Sequence, residues 1–199
     1  MSGQFPTTPT AKNAKISSRQ NTLISTTTSG RVQTRQIDGQ KFAITLVYAP
    51  MNRATFAPIK AFLMKQRSRL NTFTVTPPIV SDAQGSATGT ISVDGAISAG
   101  VTTCAIDGMT VSTSGILKAG DYFRFGADKV YMAVADLDSD GSGDGTLTFE
   151  PPLREDVAND VALIYDDVAF TVRLTNDIQE YSITINNLYE YEINLEEAL

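Results

Sequence analysis

RVQTRQIDGQKFAITLVY, residues 31–48, decides the architecture of this 199-residue chain. In its second half Phe42, Ile44, Leu46 and Tyr48 alternate with Ala43, Thr45 and Val47. A period of two puts the large apolar side chains on one side of an extended backbone, which is the pattern of a strand with one face in a core. Asp38-Gly39 lies just upstream. Both residues tolerate positive φ, so the pair predicts a tight hairpin turn between Val32–Ile37 and Lys41–Tyr48.

Downstream, Phe56, Ile59, Phe62, Leu63, Gln66 and Leu70 follow the i, i+3, i+4, i+7 spacing of an amphipathic helix over residues 52–70. Pro58 lacks an N–H and is tolerated best near a helix start. The expected N-cap is therefore Thr55, or Asn52 with a kink at Pro58. Lys65, Arg67 and Arg69 would then lie in the last turns, where cations suit the negative end of the helix dipole. Thr72–Thr76 alternates as a short strand, ended by Pro77-Pro78.

Upstream, Pro6, Pro9 and dense Ser/Thr make residues 1–30 read as an extended arm that orders against a partner. The opening MSGQFPTTPT has no basic start and apolar core, so no secretory signal is expected. No apolar run is long enough for a membrane helix, and no membrane insertion is expected.

Residues 81–166 change character. Short β-rich runs at 88–93, 102–107, 121–125, 129–135, 146–149 and 161–165 alternate with Gly- and Asp-containing turns, the pattern of a small barrel or sandwich. Three alternating stretches follow: Phe170/Val172/Leu174, Tyr181/Ile183/Ile185 and Tyr189/Tyr191/Ile193/Leu195. The expected fold is mainly β, a β-sandwich with one flanking α-helix plus an inserted small β-barrel or β-sandwich module. Residues 1–76 and 167–199 form a discontinuous sandwich domain, and 77–166 form the insert.

Composition closes many functional classes. Histidine and tryptophan are absent and there is one cysteine, Cys104. This removes the Ser-His-Asp triad, the Cys-His dyad, imidazole metal sites, thiolate zinc sites and intrachain disulfides. Phosphate-binding, dinucleotide-binding and nucleophile-elbow motifs are missing. The expectation is a protein that is not an enzyme and has no cofactor, catalytic or resident metal residues. Cys104, between apolar neighbours, reads as a small core residue. Asp136-Leu-Asp-Ser-Asp140-Gly141 matches the first half of a calcium loop, but Leu147 stands where a bidentate Glu belongs. The competing reading is an acidic hairpin tip kept polar by solvation.

Charge is segregated. Residues 1–76 hold 11 Lys/Arg against Asp38 alone, and residues 77–199 hold 5 basic against 21 acidic groups. The basic residues are dispersed and not interleaved with aromatics, which argues against nucleic-acid binding. Two readings stay open: a solvated surface whose oppositely charged halves attract each other within one monomer, and, given more weight, head-to-tail association of copies, which closes into a ring when the rotation permits. The expected interface pairs Arg31, Arg35, Arg53, Arg67 and Arg69 with some of Glu190, Glu192, Glu196 and Glu197.

RQIDGQKFAITLVYAPMNRATFAPIKAFLMKQRSRLNTFTVTPP (35–78), GILKAGDYFRFG with YMAVADLDSDGSGDGTLTFEPPLR (within 115–154), the closing YEINLEEAL and the opening FPTTP together resemble bacteriophage distal tail proteins. The departures are Asn52, where that family commonly has a Thr cap, and the more acidic 136–144 loop. The resemblance implies a structural virion protein of the phage tail, made in the host cytoplasm. It implies a six-fold ring of copies joining the tail tube protein to the tail-tip hub or receptor-binding proteins of the baseplate, with the inserted module, OB-like or carbohydrate-binding-like, projecting outward. Two alternatives remain open. One is a carbohydrate-binding adhesin module recognising a host glycan through Tyr122, Phe123, Phe125 and Tyr131. The other is a different tail ring component, such as a tube or tube-terminator protein.

Overall fold

A computed structural model describes residues 2–198. The chain is mainly β, with antiparallel sheets and one helix, in keeping with a β-sandwich carrying a single helix. Its elements in order are β1 (Asn13–Thr26), β2 (Val32–Val47), α1 (Arg53–Lys65), β3 (Phe73–Val75), β4 (Ser92–Val93), β5 (Thr103–Asp107), β6 (Tyr122–Phe123), β7 (Tyr131–Ala133), β8 (Gly145–Glu150), β9 (Phe170–Leu174), β10 (Ser182–Ile183), β11 (Tyr189–Glu190) and β12 (Glu192–Glu197). Two compact units result, one from residues 2–74 with 172–198 and one from 75–171. The sequence reading drew these limits at 76/77 and 166/167.

The first unit is built on a sheet of order β1-β2-β12-β9-β3. Its core is the alternating face read from sequence: Phe42, Ile44, Leu46 and Tyr48 of β2 and its continuation are buried beside Tyr191, Ile193 and Leu195 of the C-terminal strand. Each such side chain, removed from water, contributes about 1.5–3 kcal/mol. β12 is central, paired with β2 on one side and β9 on the other. Helix α1 packs Phe56, Ile59 and Leu63 into this core. Phe5 is held in the same core against Phe62, Phe73 and Tyr48. The backbone around it runs beside β3: Phe5 N–H donates to Thr74 O and Thr74 N–H to Gly3 O.

The structure corrects the expectations for this unit at several points. Asp38-Gly39 is not a hairpin turn. β2 continues through it, paired with β1 on both sides of it, and the chain reverses instead at Thr27–Arg31. There Thr27 N–H donates to Arg31 O and the Arg31 N–H donates back to Thr27 Oγ1. The Asp-Gly pair serves a bulge: Arg19 faces Lys41 and Asn21 faces Ile37, so Gln20 stands opposite three residues. Gly39, at φ 103°, supplies the conformation the bulge needs. Residues 1–30 are expected as an extended arm ordering against a partner; Asn13–Thr26 is extended, and the strand it pairs with is β2 of the same chain.

The helix begins at Asn52, the second of the two caps the sequence offers, and ends earlier than its apolar spacing suggests. Asn52 is the N-cap, its Oδ1 accepting from Thr55 N–H (2.9 Å) and Thr55 Oγ1 (3.1 Å). Pro58 then lies inside the helix. Gln66 closes the C-terminus, and Arg67 and Ser68 follow in the left-handed region at φ 54° and 59°. Leu70 is consequently exposed rather than on the buried face. Finally, Tyr181, Ile183 and Ile185 alternate but do not form a buried row: Ile183 and Ile185 are exposed on or beside the two-stranded β10/β11 ribbon, and Tyr181, partly exposed, lays its ring on Phe56 and Tyr189.

The second unit is a curled antiparallel sheet of order β4-β5-β8-β7-β6 around a core that includes Ile91, Val93, Cys104, Ile106, Phe123, Phe149 and Leu147. The stretch 161–165 contributes isolated bridges, Ala162 to Ser92 and Ile164 to Arg124, in place of the expected strand. The residue-154 amide donates to the Tyr131 hydroxyl. No helix among the described residues is long and apolar enough to cross a membrane.

Candidate assembly surface

Beyond the bulge the β1/β2 ribbon leaves the core. From Ser17 to Ile37 every described side chain on both strands is exposed. At about 3.3 Å per residue the free part extends roughly 30 Å from its root. Two contacts fix that root. Gln40 is buried and its Nε2 donates to Ser18 Oγ (2.9 Å). Glu197 is fully buried and its Oε2 accepts from the Phe42 N–H (3.1 Å), closing the β2/β12 ladder where β12 runs out.

Cross-strand partners share a face, so the register sorts the arm's side chains. One face carries Asn21/Ile37 and Leu23/Arg35; the other carries Ile24/Thr34 and Thr26/Val32. Each face thus has a diagonal aliphatic pair. Leu23 is 57%, Ile24 69% and Val32 56% exposed. The outer edge of β1 is also an edge of the sheet. An unpaired edge beside exposed aliphatics is an adhesive surface that natural sheets normally cover. Arg19, Arg31 and Arg35 give this arm its charge, against Asp38 at the bulge.

The same unit carries an acidic counterpart. Residues 175–198 hold Asp177, Glu180, Glu190, Glu192, Glu196 and Glu197 and no basic residue. A hollow of about 680 Å³ opens among Arg69, Asp177, Ile178, Glu180, Glu192 and Asn194. Ile178 is 72% exposed. The Ser68 hydroxyl donates to Asp177 O (3.0 Å), tying the left-handed turn after α1 to this segment. Nearby, Lys60 Nζ donates to Tyr181 Oη at 2.8 Å and sits 4.7 Å from that ring's centroid.

The residues proposed from sequence as an interface fall into three groups. Arg31 and Arg35 are on the arm, exposed. Arg53 opens α1, Arg67 and Arg69 lie just beyond its end, and Glu190 and Glu192 are on β11 and β12; all five are exposed. Glu196 and Glu197 do not belong with them. Glu196 is tied to Arg173 on the neighbouring strand β9, 2.8 Å from Nη2. Glu197 points into the core and serves the Phe42 amide, so a neighbouring copy does not reach it. The inward-outward alternation of β12, Tyr191 and Ile193 in with Glu192 and Asn194 out, carries Glu197 inside. That alternation was readable in the sequence, and it places Glu197 in phase with the core residues.

In the second unit Asp136, Asp138 and Asp140 of the acidic loop already hold partners, in the 115–119 segment and in the loop itself. Asp136 Oδ1 accepts from Ala119 N–H and its Oδ2 pairs with Lys118 Nζ, each at 2.9 Å. Asp138 Oδ1 accepts from Gly115 N–H, and Asp140 Oδ1 accepts from the amides of Ser142 and Asp144. The Ala119 amide and then Lys118 hold Asp136 below the usual carboxylate range; the Asp144 and Ser142 amides do the same for Asp140. Lys118 is raised in turn by its bond to Asp136. Among the described residues no three carboxylate, Cys or His side chains converge as a metal cradle. The aromatic set considered for stacking on sugar is largely internal: Phe123, Phe125 and Tyr131 are buried and pack on one another and on Phe149.

No protein-family model matches the chain, and no curated protein matches it at a significant level.

Proposed function

We propose that this chain is a structural, non-catalytic ring component of a phage tail, a distal tail protein that joins the tail tube to the host-recognition apparatus. The observation that carries the reading is the exposed basic arm, aliphatic on both faces, in the same unit as an acidic C-terminal segment. A ribbon of two strands is marginal alone in water and calls for cover. When the covering surface is on the same kind of chain, the contact is heterologous and repeats around a ring. The inserted unit between residues 75 and 171 and the stretches 35–78 and 115–154 add the resemblance to distal tail proteins. The adhesin alternative loses its main residues, because Phe123, Phe125 and Tyr131 are occupied in a core.

The test is the solution mass of the purified protein by light scattering, together with two-dimensional image averages. A six-fold ring is the expected result, with the protein present at the tube end of assembled particles. A monomer at every concentration, absent from particles, refutes the proposal.

A further inference from the structure

The arm and the acidic hollow are both bare in the single chain; each presents an exposed aliphatic side chain, and their charges are opposite in sign. One face of the arm offers Leu23 and Ile37 with Arg35 between them in register. The hollow offers Ile178 with Asp177, Glu180 and Glu192, against the single cation Arg69. Its volume falls within the range of built binding sites. No acidic side chain pairs with Arg35 among the described residues, and the arm beyond the bulge contains no acid.

We propose that the occupant of the hollow is the β1/β2 arm of a second copy of this chain, with Leu23 seated against Ile178 and Arg35 among Glu180 and Glu192. This rests on the ring-forming reading and deepens it, since it states which surfaces meet. The arm of each copy reaches the next one, and the hollow of each receives the previous one. Such a contact uses different patches on its two sides, as ring closure requires. The arm supplies the aliphatic cover that its own sheet does not give it. The acidic rim selects the basic face of the arm over the Ile24/Val32 face, which carries Thr22, Thr26 and Thr34 in place of a cation.

The test uses the full chain. Leu23→Cys and Ile178→Cys are made as separate variants; both positions are exposed, and the native Cys104 is buried. Mild oxidation of a mixture of the two should give a covalent dimer on a non-reducing gel, with neither variant alone doing so. The double variant should give a ladder up to the full ring. A second measurement checks the charges. Arg35→Glu should raise the concentration at which rings dissociate about tenfold or more, and Glu180→Arg with Glu192→Arg should restore assembly to it. Rings of unchanged mass without cross-linking overturn the docking assignment and leave the ring reading standing. A protein that is monomeric throughout overturns both.

Discussion

Replacing Glu197 by Ala tests how the arm is rooted. Its carboxylate is fully buried and accepts the Phe42 N–H, at the point where β2 loses β12 as a partner. A hydrogen bond to a charged group contributes about 1.5–3 kcal/mol, and a buried amide left unpaired costs about 1–3 kcal/mol, two descriptions of largely the same loss. The expected destabilisation of the first unit is therefore about 2–3 kcal/mol. With a urea m-value of about 2 kcal/mol/M the midpoint of that unit's transition should fall by about 1–1.5 M. Glu197→Gln keeps an acceptor oxygen and should recover about half of the loss. The assay is urea unfolding followed by circular dichroism and tyrosine fluorescence, at one fixed protein concentration because assembly adds to apparent stability. If Glu197→Ala leaves the midpoint within about 0.2 M of the parent, or alters assembly alone, the buried-anchor account is wrong.

Burial raises the Cys104 thiol to about 12, so a thiol reagent at pH 8 should label the native protein negligibly and the urea-unfolded protein completely; rapid native labelling would contradict the packing of β5. Asp136 and Asp140 are held below their ordinary value, so their contribution is present above about pH 4 and is lost as pH falls through the depressed folded value. Acid unfolding of Asp140→Asn should accordingly show a shallower pH dependence than the parent, and identical slopes would count against the loop bonds. Since those carboxylates already serve amides and Lys118, millimolar calcium should leave the thermal midpoint unmoved; a clear rise in midpoint would show that they rearrange around the ion. Asn52→Ala removes the cap of α1 and should cost about 1 kcal/mol by denaturant unfolding, with Asn52→Asp close to the parent.

Arg31, Arg35, Arg53, Arg67, Arg69, Glu190 and Glu192 are exposed, as charge that is not needed in a core is expected to be. Glu196 and Glu197 were misplaced by the same rule, because a strand alternates whatever residue it carries. On β12 the phase set by Tyr191, Ile193 and Leu195 takes Glu197 inside and leaves the Arg173 pair at Glu196. The acidic hollow had no sequence signal beyond a run of carboxylates. Its walls come from β12, the segment after β9 and the turn after α1, which are brought together only by folding.

What the sequence by itself determined is periodicity. The rows Phe42–Tyr48 and Tyr191–Leu195 and the face Phe56/Ile59/Leu63 bury the side chains their spacing marks, because apolar area leaves water in whichever element can collect it on one side. What the tertiary structure decided is whether each such row finds a surface to meet. Tyr181, Ile183 and Ile185 have the same alternation as β12, yet Tyr181 alone of the three lays its ring on the buried Phe56; Ile183 and Ile185 lie on or beside a two-stranded ribbon and stay in water, Ile185 99% exposed. Asp38-Gly39 has the local chemistry of a turn and of a bulge alike. The presence of β1 alongside, with its own reversal at Thr27–Arg31, chose the bulge, because backbone amides pair with the strand that is available to them.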